Sequence, residues 1–266
     1  MKNNKIVLFD MDGTLTLPRE KIQHDMIRAL RDLSSSAKIG IVTGSDFEYV
    51  MQQCKDMFDL SGIPVDRVEI FPCNGTKHYT WKNNKFEKVF DQDMIKEIGK
   101  ENYQLLLQTI LSFQLLITLK YNLPYTGTFF HYRGSMLNWC PIGRAADAAA
   151  RNAWVECDKE KKIRVHYVKE LKNALDKKDI NLCVALGGST SFDIYPEGWD
   201  KTFVINHLSK YKEIIFVGDA VEEGQNDHTL YQLLKDGECT QSYATTDPLV
   251  TTKIVEMLIL PDIRNT

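Results

Sequence analysis

Two aspartates one residue apart, Asp10 and Asp12, stand directly after an apolar run and directly before Gly13 and Thr14. Side chains two apart on a strand share a face, so both carboxylates can point at one site beyond the strand end, and Gly13 permits the tight turn that follows. Carboxylates held together repel each other and need a proton or a cation between them. A hard divalent metal with oxygen ligands meets that need, and Mg²⁺ is the usual one beside phosphate.

The elements that must hold this pair follow an α/β rhythm. The run Ile6 to Phe9, continuous in apolar residues and stopped by acidic residues and glycine, reads as a central strand of a parallel sheet. A helical pattern at 21–33, a strand at 39–42 ending in Thr43-Gly44-Ser45, a helix at 47–57 and a strand at 68–71 follow. Function in such a fold collects in loops at the carboxyl ends of the strands. From Trp81 to Ile180 the rhythm changes to a long helical stretch at 94–119, two runs at strand period (126–132 and 136–139) and a helix at 145–157. The α/β pattern resumes with a strand at 214–217, a turn at Gly218-Asp219, and helices at 229–235 and 251–258. The expected class is α/β: a Rossmann-like core with a parallel sheet, in segments 1–81 and 187–266, interrupted by an α+β cap domain at 82–186.

Composition narrows the partners. The 266 residues carry 33 Lys plus Arg against 36 Asp plus Glu, a formal charge of −3, and no charge run long enough for a nucleic-acid tail. The most apolar stretch, 105–119, is too short for the roughly 20 residues that span a bilayer and reads as a buried helix. The apolar run near the N-terminus is too short for a signal peptide. The six cysteines at 54, 73, 140, 157, 183 and 239 include no C-x-x-C pair and read as free thiols of a cytoplasmic protein.

The pentapeptide Asp10 to Thr14 resembles the first motif of the haloacid dehalogenase (HAD) superfamily of phosphotransferases. That resemblance implies that Asp10 is a nucleophile forming an aspartyl-phosphate and Asp12 the general acid and base. The superfamily's other motifs appear in order. Thr43 and Ser45 lie where a hydroxyl bonds the transferring phosphoryl group, Lys201 where a cation neutralises the aspartate and phosphate, and Gly218-Asp219 with Asn226-Asp227 resembles the acidic metal motif. Within the superfamily the chain is similar to the eukaryotic-type phosphomannomutases from Ile6 to Leu258. The stretches FDMDGTLT (9–16), GSDFE (44–48), GTFFHYRGSMLNWCPIGR (127–144), ARN (150–152), DKEKKIR (158–164), SFDIYPEGWDKTF (191–203) and GQNDH (224–228) carry the likeness.

This family implies exchange of mannose 6-phosphate with mannose 1-phosphate, feeding GDP-mannose synthesis. It implies Mg²⁺ held by Asp10, Asp12, Asp219 and Asp227, a hexose 1,6-bisphosphate as activator, and a homodimer formed through the cap. A mutase must hold the sugar by its non-reacting phosphate in either orientation, which calls for guanidinium forks. Arg144 and Arg151, seven apart in the expected helix, project from one face, and Arg133 ends the preceding hairpin strand. All three, with Arg19, match the family's phosphate-binding arginines, and Ser191 and Asp193 match its sugar- or phosphate-contacting residues. Closure of the cap would exclude water from the aspartyl-phosphate.

The sequence departs from the family at Ala220 and Gly224-Gln225, where Lys and Gly-Gly are usual, and at Cys73, where Glu is usual. These positions bear on the balance of mutase and phosphatase activity, so a sugar-phosphate phosphatase is the second reading and a catalytically dead binding protein the third. With the cap at 82–186, it holds 17 basic and 12 acidic residues, net +5, and the remainder nets −8. A basic cap and an acidic core are then expected.

Overall fold

In the computed structural model, which describes residues 4–59 and 62–259, the central strand β1 (Lys5–Phe9) is buried on both faces. Its side chains alternate: Val7 and Phe9 enter one core, Ile6 and Leu8 the other. After it come α1 (His24–Leu33), β2 (Lys38–Val42), α2 (Phe47–Asp59), β3 (Val68–Phe71), β4 (Lys77–Lys82) and β5 (Lys85–Asp91). The middle of the chain forms α3 (Met94–Ile98), α4 (Lys100–Lys120), β6 (Phe130–Tyr132), β7 (Leu137–Trp139), α5 (Ala148–Lys161), α6 (Ile163–Asp176), β8 (Leu182–Gly187) and β9 (Ser191–Pro196). The last elements are β10 (Glu213–Gly218), α7 (His228–Leu234), β11 (Thr240–Ala244) and α8 (Pro248–Ile259).

The chain divides into two compact units, 1–91 with 200–266, and 92–199. Residues 1–3, 60–61 and 260–266 of the first unit lie outside the described residues. Its sheet has the order β11-β10-β1-β2-β3-β4-β5, with β11, β10, β1, β2 and β3 parallel and the β4–β5 hairpin antiparallel at one edge. From β1 the chain moves to β2 on one side and reaches β10 on the other only much later, so the switch point of the sheet lies at β1. Open α/β sheets bind ligands beyond the carboxyl ends at that point. Helix α1 closes one face, burying Met26, Ile27, Leu30 and Leu33. Leu230 and Leu234 of α7 close the other with Val204 and Leu208.

The second unit has an antiparallel sheet, β6-β7-β9-β8, so the expected α/β core with an α+β insert is what the chain forms. The boundaries at 82 and 186 are corrected by strand pairing. The stretch to Asp91 belongs to the core because β5 pairs with β4 through the Asn83-Asn84 turn, both residues at positive φ (50° and 59°), the conformation a two-residue hairpin turn requires. The stretch to Trp199 belongs to the cap because β9 is hydrogen-bonded to β7 and β8. With these boundaries the cap holds 14 basic and 12 acidic residues, net +2, and the rest 19 and 24, net −5. Part of the basic excess assigned to the cap sits on the hairpin, as Lys82, Lys85 and Lys88.

Two further expectations change. The helix at 94–119 is broken at Gly99 (φ 83°), and α4 is not buried all round. Its inner face carries Leu106, Ile110, Gln114 and Ile117, while Leu111, Leu115, Leu116 and Leu119 are 52–76% exposed. The polar Gln114 is inside because it has partners: it accepts from Trp139 Nε1 at 2.7 Å and donates to the Pro141 carbonyl at 2.9 Å. The helix expected from 145 starts at Ala148, capped by Asp147, whose Oδ1 accepts from Ala150 N at 2.8 Å. Arg144 therefore precedes the helix, and its spacing to Arg151 does not set a shared helix face.

Candidate active site

The carboxyl ends of β1, β2 and β10 bring together the residues that stand far apart in sequence. Asp10 continues β1 by one residue, its N–H donating to the Val217 carbonyl of β10 at 3.0 Å. It is 4% exposed. Lys201, the first residue of a short 3-10 helix over Lys201–His207 that Asp200 caps, donates to Asp10 Oδ1 at 2.5 Å and also to Asp227 Oδ1. Neither Lys201 nor Asp227 has measurable side-chain exposure. Asp227 is fixed from its other oxygen by the Ala220 N–H at 3.1 Å, and its own N–H returns to the Ala220 carbonyl at 3.0 Å. The loop at 220–227 is thus closed by backbone bonds that Ala supplies as well as Lys, and Gln225 Oε1 accepts from Glu222 N at 2.9 Å.

Asp10, Asp219 and Asp227 offer ligand atoms that all lie within 4.8 Å of one another. Backbone economy at two glycines makes room for them. Gly13 sits at φ 91° where a Cβ would strike the Asp219 carboxylate, and a Cβ on Gly218 would strike that of Asp227. Burial raises the Asp10 pKa well above the usual range, with Asp227 and Asp219 adding to the effect against the opposing Lys201 charge. Burial, then Asp227, raises Asp219 as well. Burial alone would lower the Lys201 pKa, but Asp10 and Asp227 more than offset it and hold the ammonium charged. Three carboxylates thus share one lysine, and a set of hard oxygen donors with surplus negative charge suits Mg²⁺.

Asp12, expected among the metal ligands, sends its side chain elsewhere. Its Oδ1 accepts from Tyr49 OH and Gln53 Nε2 of α2, each at 3.2 Å, and it is absent from the three-carboxylate cluster. Burial raises its pKa, moderated by the bonds from Gln53, Tyr49 and the Arg19 backbone. Thr43 and Ser45 follow β2. Ser45 N donates to Thr43 Oγ1 at 3.1 Å, and the Cys73 and Asn74 N–H groups zip this loop to the one after β3 through the Ser45 and Thr43 carbonyls, at 2.9 and 2.8 Å. Arg19 is exposed and left-handed at φ 67°.

The cap's polar residues form a second group. Asn138 and Asp193 face each other across β7 and β9, and Asn138 Nδ2 donates to Asp193 Oδ1 at 2.7 Å. The amide oxygen of Asn138 takes Arg144 Nη1 at 3.0 Å, and Arg133 Nη1 lies 3.7 Å from the same Asp193 oxygen. Arg151 reaches Ser189 Oγ at 3.3 Å in the turn that precedes the buried Ser191. That turn is pinned by Arg164, which donates to the Gly188 and Ser191 carbonyls while its Nε holds Asp158 Oδ2 at 2.6 Å.

A family model described as eukaryotic phosphomannomutase matches residues 26–260. The phosphomannomutase of Saccharomyces cerevisiae is 35% identical over 263 residues, covering 97% of this chain and 95% of its own. That of Drosophila melanogaster is 35% identical over 232 residues, 85% of each chain. This chain belongs to the eukaryotic phosphomannomutase family. Solved structures of lower identity share the HAD fold. The IMP-nucleotidase of Plasmodium falciparum superposes with a TM-score of 0.65 at 13% identity over 96% of this chain and 68% of that one. A trehalose-6-phosphate phosphatase related protein gives 0.53 at 15% identity over 96% and 97%. The phosphomannomutase family makes the chain an isomerase that transfers phosphate within its substrate.

Asn138 and Arg164 lie inside the stretches that carry the family likeness without a role of their own, and Gln53 and Tyr49 lie outside them. Gln53 had a signal: it occupies the stripe of α2 that also holds the buried Val50, Cys54 and Met57, and an amide there needs a partner.

Proposed function

We propose that the chain interconverts mannose 6-phosphate and mannose 1-phosphate through an aspartyl-phosphate on Asp10, with a hexose 1,6-bisphosphate as activator, and that the product feeds GDP-mannose synthesis. The observation that carries this reading is the contrast between two neighbouring aspartates. Asp10 is buried against Lys201 and two further carboxylates, whereas Asp12 is held by neutral donors. Titratable groups in such different surroundings take different roles. Asp10 is the nucleophile, and Lys201 neutralises the charge that accumulates as its oxygen bonds phosphorus. Asp12 protonates the leaving sugar oxygen, then takes the proton from the hydroxyl that attacks in the second half. Thr43 and Ser45 position the transferring phosphoryl group.

Asp10, Asp219 and Asp227 would hold Mg²⁺, which when bound supplies positive charge against the carboxylates and the phosphate. Arg133, Arg144 and Arg151 bind the non-reacting phosphate, Arg19 is a further phosphate-binding arginine, and Ser191 and Asp193 contact sugar or phosphate. In this reading Asn138 keeps Arg144 and Asp193 in one array. Arg144→Ala is then expected to raise KM for the sugar phosphate by about 10–100-fold, the worth of a charge-assisted bond, with phosphoenzyme still formed. Initial rates over a range of substrate test this, and an unchanged KM would remove Arg144 from the site.

The exposed leucine face of α4 supports a homodimer through the cap, since a contiguous apolar face marks an interaction site. Leu115→Glu and Leu119→Glu together should convert the dimer to monomer in sedimentation velocity, and a wild-type monomer would refute the assignment. No helix of the described residues is long and apolar enough to cross a membrane. None of the six cysteines is joined in a disulfide among the described residues, which supports action in the reducing cytoplasm.

The deciding experiment follows mannose 1-phosphate with Mg²⁺ by phosphorus NMR, with and without glucose 1,6-bisphosphate. Mannose 6-phosphate accumulating only with the bisphosphate is expected. Inorganic phosphate as the main product would replace the mutase with the phosphatase.

A further inference from the structure

We infer that Gln53 and Tyr49 are positioning residues that fix which oxygen of Asp12 carries the transferred proton. The inference rests on the reading of Asp12 as the acid and base. Residues 49 and 53 are one helical turn apart on α2 and share a face. Their donors converge on one atom, Asp12 Oδ1. A carboxyl oxygen accepting two bonds has its lone pairs filled, so the proton of the acid form resides on Oδ2.

An amide can turn either its oxygen or its nitrogen toward a carboxyl group, and Asp12 and Thr16 together set the choice here. The buried Thr16 hydroxyl lies 2.5 Å from Gln53 Oε1 and 3.3 Å from the Met11 carbonyl. An ionised Asp12 only accepts, so Nε2 turns to it, and the Thr16 hydroxyl holds the amide that way by donating to Oε1. Thr16 is itself tied to the nucleophile loop: its carbonyl accepts from Gly13 N at 2.7 Å, and it bridges Asp12 as a strand partner. The bonds therefore run in one direction, from Thr16 to Gln53 to Asp12. A mutase runs its proton transfer forwards in one half-reaction and backwards in the other. The same oxygen must give and take, and a carboxyl group free to turn over would present its proton to the wrong side.

The test compares Gln53→Leu, Tyr49→Phe and Thr16→Val with wild type in two measurements. The first is kcat and KM for mannose 1-phosphate with saturating glucose 1,6-bisphosphate. The second is the affinity for beryllium fluoride with Mg²⁺, read by fluorine NMR, because this phosphoryl mimic bonds to Asp10 without any proton transfer. Gln53→Leu should lower kcat about 10–100-fold, as misplaced catalytic groups do, with KM and beryllium fluoride affinity within about 3-fold of wild type. Tyr49→Phe and Thr16→Val should move kcat in the same direction by less. Unchanged kcat in all three variants would overturn the inference. So would beryllium fluoride affinity falling in step with kcat, since that is damage to the whole loop. A wild-type protein that binds beryllium fluoride but turns over no sugar phosphate would instead overturn the proposed reaction, and the two failures are thereby distinct.

Discussion

Asp10→Asn is expected to form no phosphoenzyme and to lose turnover by about 10⁴-fold or more, as expected when a covalent nucleophile is removed. The amide is nearly isosteric with the carboxylate, and Lys201 keeps its second partner, Asp227, so the fold should survive. The loss therefore lies in the chemistry. A carboxamide oxygen carries no full negative charge with which to attack phosphorus. Intact-protein mass after mixing with glucose 1,6-bisphosphate is the measurement: wild type gains a phosphoryl group and the variant does not. Wild-type turnover by the variant would end the aspartyl-phosphate mechanism.

Lys201→Met is expected to inactivate the enzyme and to destabilise it as well. The ammonium is enclosed and touches two buried carboxylates. Removing one member of a buried ion pair leaves uncompensated charge and costs about 3–5 kcal/mol. Here Asp10, Asp219 and Asp227 would be left crowded together, and neutralising them requires taking up protons. Urea denaturation at neutral pH reads the loss as a lower midpoint. A midpoint equal to wild type would mean that the carboxylates shed their charge at no cost, contrary to the role given to this lysine.

Much of the fold was legible because four of the five parallel strands, β1, β2, β3 and β10, are short and mostly apolar runs, whereas the fifth, β11, reads TQSYA and gives no such signal. The strand at 68–71 has the limits the sequence suggests, and those at 39–42 and 214–217 grow by a residue or two at their ends. The β4–β5 hairpin was not legible, because its face carries Lys, Glu and Asp among the apolar residues and the rhythm of βα units had ended. The α4 helix was misread as buried because apolar content says nothing about direction. Its inner stripe holds Gln114 beside Leu106, Ile110 and Ile117, and its outer one four further leucines; the amide is accommodated inside by its partners Trp139 and Pro141. At the site, short motifs located Asp10, Lys201, Asp219 and Asp227, whereas Asp12 could not be assigned an environment until α2 was in place. Its neighbours Tyr49 and Gln53 come from a segment nearly forty residues away.

The position of β1 in the sheet has a consequence for how the protein is made. β1 is paired on one side with β2, but its other neighbour arrives about 200 residues later, through the register Lys5↔Glu213. At roughly 5–20 residues per second of synthesis, that strand's second edge waits about 10–40 s. The intervening unit ends at Trp199, just before β10 is made, and is closed on itself. Asp10 therefore meets its lysine and its two companion carboxylates only when the chain is nearly finished. A growing polypeptide carries Asp10 as an ordinary aspartate, and its buried, lysine-paired surroundings are acquired in the last steps of folding, after the cap has been made.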